Sequence, residues 1–282
     1  MMSNTITRTN PAQSSWLAYY QPNYRATLRL FCFPYAGGSA LVFNKWRESL
    51  PPFVEVCPVQ LPGRGNRLDA TPFTDMDALV EAAGAALLPY FDMPFAFFGH
   101  SMGASISFEL TRLLRREGRR LPLHLYISGR RAPHIIDDEP PLHDLPDAEL
   151  LKELHELNGT PKEVLEHPEL MQMMLPLLRA DFSVAETYVC KSEPPLDTPI
   201  TVFGGLSDKD IEREHLEAWR QYSTAPFKLR MLAGDHFFLN TSQAMLLRLL
   251  SIELSSLMSN NRNSSPDDLP FVKDYRIHSR LV

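Results

Sequence analysis

Apolar residues in this chain come in two textures, short continuous runs and longer stretches in which they recur every three or four positions. The runs Leu28 to Phe33, Phe53 to Val59, Phe95 to Phe98, Leu123 to Ser128, Pro199 to Phe203 and Phe227 to Leu232 predict buried strands. Between them the spacing turns helical. Ser39 can cap a helix to about Leu50, and Thr74 or Asp75 can start one with Met76, Leu79, Val80, Ala83 and Leu87 inward. Ile106, Leu110, Leu113 and Leu114 mark another that ends at Gly118, and later helices are predicted from Ile211 to Tyr222 and from Ser242 to Met258. Strands that alternate with helices predict an α/β fold, a mostly parallel sheet covered on both faces, because parallel neighbours need crossover connections.

One stretch breaks the alternation. From Ile135 to Val189 the pattern is helical only. Pro146 and Asp147 open a helix with Leu150, Leu151, Leu154 and Leu157, closed by Gly159; Thr160-Pro161 with Glu163 reads as a capping-box start; and a third helix from Glu169 carries Met171, Met174, Leu175, Leu178 and Phe182, with a bend expected at Pro176. Ligands bind at the carboxyl ends of strands in such sheets, so a helical insertion leaving that edge is expected to lie over the site as a lid. The expected layout is an irregular lead-in over 1–27, one domain over 28–258 with the lid at about 135–189, and a tail over 259–282.

Composition narrows the function classes. The 282 residues are 44% hydrophobic and 22% charged, enough for one large core, and the net charge of -6 supplies no global field for nucleic acid or an anionic membrane. The three Cys, at 32, 57 and 190, have no metal-ligand spacing and read as free thiols in a reducing compartment, which points to the cytoplasm. No stretch reads as a signal peptide or a membrane span, since Ala82 to Phe98 is broken by Pro89, Asp92 and Pro94.

The chemistry centres on FFGHSMGA, which holds GxSxG at Gly99, Ser101 and Gly103 between a strand and a helix. A serine hydroxyl needs a base to take its proton and a third group to hold that base. His236, in AGDHFF after the last strand, and Asp208, in VFGGLSD after the fifth, both arrive at the carboxyl edge where Ser101 sits. The order Ser, Asp, His is that of an α/β-hydrolase. Asp210 and Asp235 are rival acids; Asp208 is favoured because Asp210 suits an N-cap. For the oxyanion, the Met102 amide is one donor and the loop Pro34 to Gly38 supplies the other, with Ala36 favoured over Tyr35 and Gly37. His100 is read as structural. The arginines at 112, 115, 116, 119 and 120 are expected to face water and the helix C-terminus. Arg130 and Arg131 are expected to anchor the lid in preference to meeting an anion, and the Met171 to Met174 face is read as helix packing.

The segments FCFPYAGGSA, VQLPGRGNR, FFGHSMGA, SGRRAPH, LPLLRADF, VFGGLSD and GDHFFL together resemble the type II thioesterases that accompany nonribosomal peptide and polyketide synthases. The resemblance covers about Leu30 to Leu239. It implies a triad of Ser101, Asp208 and His236, a lid between Ile135 and Val189, and hydrolysis of acyl groups from the phosphopantetheine arm of carrier proteins. It implies no cofactor or metal of the enzyme's own and acyl or peptidyl carrier domains as partners; the chain is expected to act as a monomer. Gly65 departs from the family, where an acid often follows PGR, which leaves Arg64 and Arg67 without that local partner. A general carboxylesterase with the same triad and a non-enzymatic carrier-binding module are the alternatives.

Overall fold

The computed structural model describes residues 14–136, 140–157, 159 and 162–263. Six strands, β1 (Leu28–Phe33), β2 (Val54–Pro58), β3 (Phe95–His100), β4 (Leu125–Ser128), β5 (Ile200–Gly205) and β6 (Phe227–Leu232), form one sheet in the order β2-β1-β3-β4-β5-β6. Every neighbouring pair is parallel. The interior strands are buried along their whole length, and alternate residues supply two cores. Phe31, Phe33, Phe95 and Phe97 pack with α1 (Met76–Leu87) and α2 (Met102–Arg116), whereas Leu30, Cys32, Phe98, Tyr126 and Phe203 pack on the other face against α8 (Gln243–Asn263).

Each edge of the sheet is protected differently. β6 turns Lys228 and Arg230 outward, a charged edge that discourages pairing with another chain. β2 is buried because the chain before β1 lies across it: Leu17 bridges Val59 in antiparallel fashion and Trp16 and Leu17 are both buried. Part of the expected lead-in is therefore core.

Helices over the insertion are α3 (Asp147–Leu157), α4 (Lys162–Leu165) and α5 (Pro168–Glu186), with a small core of their own made by Leu150, Leu154, Leu165, Met171, Leu175 and Leu178. α5 stays helical through Pro176. The capping box at Thr160-Pro161 lies outside the described residues, as do 1–13 and 264–282.

Three boundaries differ from the sequence reading. The helix expected from Ser39 to Leu50 is two 3-10 turns, Ala40–Phe43 and Trp46–Glu48. Ala40, Phe43 and Trp46 are all fully buried, and their spacing of three residues suits a 3-10 turn better than an α-helix. Likewise the helix expected from Ile211 splits into α6 (Arg213–Glu217) and a 3-10 turn, Ala218–Tyr222. At the end of the domain, a short α7 (Phe238–Thr241) precedes α8, which continues past Met258.

Candidate active site

The turn from β3 into α2 is sharp. Ser101 has φ 53° and ψ −118°, a conformation that costs a non-glycine residue of order 1–3 kcal/mol and that the surroundings must enforce. They do so by close approach. A Cβ on Gly99 would lie 2.1 Å from the Gly103 carbonyl oxygen, and one on Gly103 would lie 2.2 Å from that of Phe33. The two glycines of GxSxG therefore let α2 begin directly against the ends of β1 and β3. Ser101 donates its own amide to the Ser128 carbonyl at 2.8 Å, which ties the turn to β4 as well. Met102 is the first residue of α2, and its N–H is among those that an α-helix leaves without an internal partner.

Asp208 and His236 meet at the same edge. Asp208 lies just past β5 and His236 just past β6; His236 Nδ1 is 2.9 Å from Asp208 Oδ2. The Asp208 side chain is 1% exposed, and its other oxygen accepts the amides of Asp210 and Ile211 at 3.1 and 3.2 Å. Those bonds fix the carboxylate and leave one oxygen for the imidazole. Among the rival acids, Asp235 uses Oδ1 to accept the Phe237 amide at 2.9 Å, and the Asp210 backbone carbonyl accepts from Arg131 at 2.9 Å.

His100 is fully buried, as its structural reading requires, and its Nδ1 is 2.8 Å from Ser128 Oγ. Its ring nevertheless lies 5.2 Å from that of His236, centroid to centroid, and 5.8 Å from Tyr35. Burial, reinforced by His236, pushes His100 well below the ordinary imidazole range, so it stays neutral beside the site.

In the loop 34–38, two of the four backbone amides are committed. Gly38 N–H donates to Tyr35 O at 2.9 Å and Gly37 N–H to Asp181 Oδ2 at 2.7 Å. The donors of this loop outside those bonds belong to Tyr35 and Ala36, which narrows the sequence reading by removing Gly37. Asp181, on α5, also receives both guanidinium nitrogens of Arg64. The partner that Gly65 fails to supply to Arg64 thus comes from a distant helix, and Arg67 instead stacks 4.1 Å over the Trp16 ring. This pair went unread in the sequence, although an acid beside the apolar stripe of Leu175, Leu178 and Phe182 was a signal for it.

Most of the remaining charged candidates have structural partners. Arg130 donates to the Ala185 carbonyl at the end of α5 at 2.9 Å, in line with an anchoring role. Arg112, Arg115 and Arg116 do not simply face water: all three converge on Glu193 at 2.7–3.0 Å, because the segment after α5 crosses the end of α2. Met171 is buried in the α3–α5 core, whereas Met173 is 67% exposed. Burial pushes the Cys32 and Cys57 thiols well up, so neither is a nucleophile at neutral pH. Among the described residues, no cluster of three or more His, Cys, Asp or Glu is spaced to hold a metal ion, and no helix is long and apolar enough to cross a membrane.

The model of the thioesterase domain matches residues 28–252. The chain belongs to the thioesterase family. As such it is an enzyme, a serine thioester hydrolase of the type II class. This thioesterase is 44% identical over 246 residues to the gramicidin S biosynthesis protein GrsT of Aneurinibacillus migulanus, covering 87% of this chain and 96% of that one. It is 46% identical over 254 residues, covering 89% and 97%, to a protein of Brevibacillus parabrevis named linear gramicidin dehydrogenase LgrE. That name denotes a different chemistry, and the family model decides between them. Here β1 is followed by PYAGGSA, without the G-x-G-x-x-G of a dinucleotide site. Among solved structures, the type II thioesterase BorB from the borrelidin biosynthetic cluster superposes with a TM-score of 0.79 at 35% identity, covering 86% of this chain and 99% of that one.

Proposed function

We propose that this thioesterase removes acyl groups from the phosphopantetheine arm of carrier protein domains in a nonribosomal peptide or polyketide pathway, through an acyl-enzyme on Ser101. The Ser101 oxygen attacks the thioester carbonyl while His236 takes the hydroxyl proton, and Asp208 holds the imidazole in the tautomer that accepts it. The amides of Met102 and Ala36 stabilise the negative oxygen of the tetrahedral intermediate. Collapse breaks the C–S bond, and the thiolate leaves with the proton returned by His236. Water, deprotonated by the same imidazole, then releases the acid and restores Ser101. No cofactor of the enzyme's own enters these steps. The reading places the enzyme in the cytoplasm as a monomer, with α3–α5 as a lid over the site.

The observation that carries it is the 2.9 Å pairing of His236 with an immobilised, buried Asp208, at the sheet edge where a strained serine opens α2. The test is acyl-carrier hydrolysis by Ser101→Ala, expected to fall by about 10⁴-fold or more with the melting curve unchanged. Turnover retained by that variant excludes the mechanism. Measuring kcat/KM on matched acyl-carrier thioesters and simple oxygen esters separates carrier editing from general esterase action; a preference for the oxygen ester refutes the substrate assignment.

A further inference from the structure

The loop 34–40 is held from beneath by three side chains that take no part in the steps above. Asp181 reaches the loop with one carboxylate oxygen and meets Arg64 with both. Oδ1 accepts from Arg64 Nη2 at 2.7 Å, and Oδ2 accepts from Arg64 Nη1 at 2.6 Å and from Gly37 N–H at 2.7 Å. Arg64 completes the hold. Its Nη1 also donates to the Gly38 carbonyl at 2.9 Å and its Nε to the Pro62 carbonyl at 3.2 Å. Gln60 adds a third point, donating from Nε2 to the Arg64 carbonyl at 2.8 Å and accepting the Ala40 amide on Oε1 at 2.9 Å. Gly37 N–H, Gly38 C=O and Ala40 N–H are therefore all fixed by side chains.

The Arg64 and Asp181 side chains are 5% and 4% exposed. A buried ion pair of this kind contributes little net stability compared with apolar residues of the same volume, because desolvation offsets the attraction. What a bidentate pair supplies is geometry, two parallel bonds that fix one plane against another. Here that geometry is spent on the loop facing Ser101. An oxyanion donor is effective only if it is aimed before charge develops, so an unheld loop would lose much of its effect.

We propose that the Arg64–Asp181 pair is a positioning device for the hydrolytic step: it takes the Gly37 amide and the Gly38 carbonyl, and so holds the Ala36 N–H toward the oxyanion formed at Ser101. This inference rests on the Ser101 mechanism proposed above. Neither side chain touches the reacting atoms. Because Asp181 belongs to α5, the device also couples the helical insertion to the loop, and Leu178 on the same helix reinforces it: a Cβ on Gly37 would lie 2.5 Å from Leu178 Cδ2.

The test uses Asp181→Asn, which keeps the volume but sets an amide against the guanidinium, and Arg64→Lys, which keeps the charge but cannot span Asp181 and Gly38 together. For each, kcat and KM on an acyl-carrier substrate are measured beside the affinity for a trifluoromethyl ketone of the same acyl chain, which forms an oxyanion when Ser101 adds to it. Asp181→Asn is expected to lower kcat by about 100-fold and weaken the ketone by a similar factor, with KM within about twofold. Arg64→Lys is expected to move both in the same ratio, by less. Loss of kcat with ketone affinity unchanged overturns the proposal, as does an unchanged kcat. Failure of both variants to fold assigns the pair to the fold alone and overturns it too. Ser101→Ala run in parallel separates the two readings: if it is inactive while Asp181→Asn is fully active, only the positioning role falls.

Discussion

A Cβ has no room at Gly103, and the reason lies in the sheet as much as in the helix. The Phe33 carbonyl at 2.2 Å, with the Pro34 carbonyl at 2.6 Å, are the atoms it would meet, and both are backbone, so no side chain can rotate aside. Gly103→Ala must therefore push α2 away from the end of β1, a cost of about 1–3 kcal/mol as an overpacked core substitution. The same push moves the Met102 amide away from the loop that carries Ala36. The expected outcome is a lower melting temperature together with a fall in kcat, measured on the same preparation. Wild-type values of both would show that the close approach is not needed. Such a steric requirement was legible because it is local: glycine two residues either side of a serine, between an apolar run and a helical spacing, states its own geometry.

At the scale of elements, what could be read depended on whether a partner lay nearby in sequence. Alternating runs gave the six strands, and parallel pairing then followed without any contact information. The triad was legible for the same reason, since Ser101, Asp208 and His236 each sit a few residues past a strand and a parallel sheet brings all such positions to one edge. Asp181 and Arg64 are 117 positions apart, and Arg112 and Glu193 are 81 apart; no period or spacing joins them. The arginines at the end of α2 illustrate the consequence. They read as solvated, but Glu193 draws three of them, and it tethers the segment that leads from α5 into β5. Partial burial works to raise the Glu193 carboxyl, and the bonds from Arg115, Arg112 and Arg116 outweigh it, bringing it down to about 2. Removing the charge should loosen that segment. Glu193→Gln is expected to speed tryptic cleavage after Lys191, whose side chain is 72% exposed, with kcat unchanged because the active edge lies at the other end of α2. Equal cleavage rates in variant and wild type would show that the arginines do not hold the segment.

The whole molecule carries buried histidines that make its stability depend on pH in a window of their own. His124, 8% exposed, lies where β4, β5, β6 and α8 meet. Its Nε2 is 2.9 Å from Thr201 Oγ1, which donates in turn to Glu253 Oε2 at 2.7 Å, and its ring stacks 4.4 Å from Tyr126. A carboxylate 4.0 Å from the ring would ordinarily favour the proton, but Lys228 and Arg230 lie 3.5 and 3.6 Å from the same carboxylate and offset it. Burial, with Lys228 adding, brings His124 down to about 3. The folded protein thus keeps the ring neutral, while the unfolded chain protonates it below about pH 6.5. The unfolded state therefore binds the extra proton, and stability falls as pH drops from about 6.5 toward 3. At pH 4.5 this one ring accounts for a loss of roughly 3 kcal/mol. His100, depressed in the same direction, adds to it. Glu193 contributes in a lower window: its carboxyl is depressed, so its share is present above about pH 4.5 and is lost between there and about 2. Melting curves between pH 6.5 and 4.5 consequently report the histidines rather than the carboxylates. His124→Gln, which keeps a donor toward Thr201, should reduce that slope and leave the lower-pH loss in place. A drop in melting temperature confined to pH below 4.5, the same in wild type and variant, would show that His124 is not held neutral in the fold.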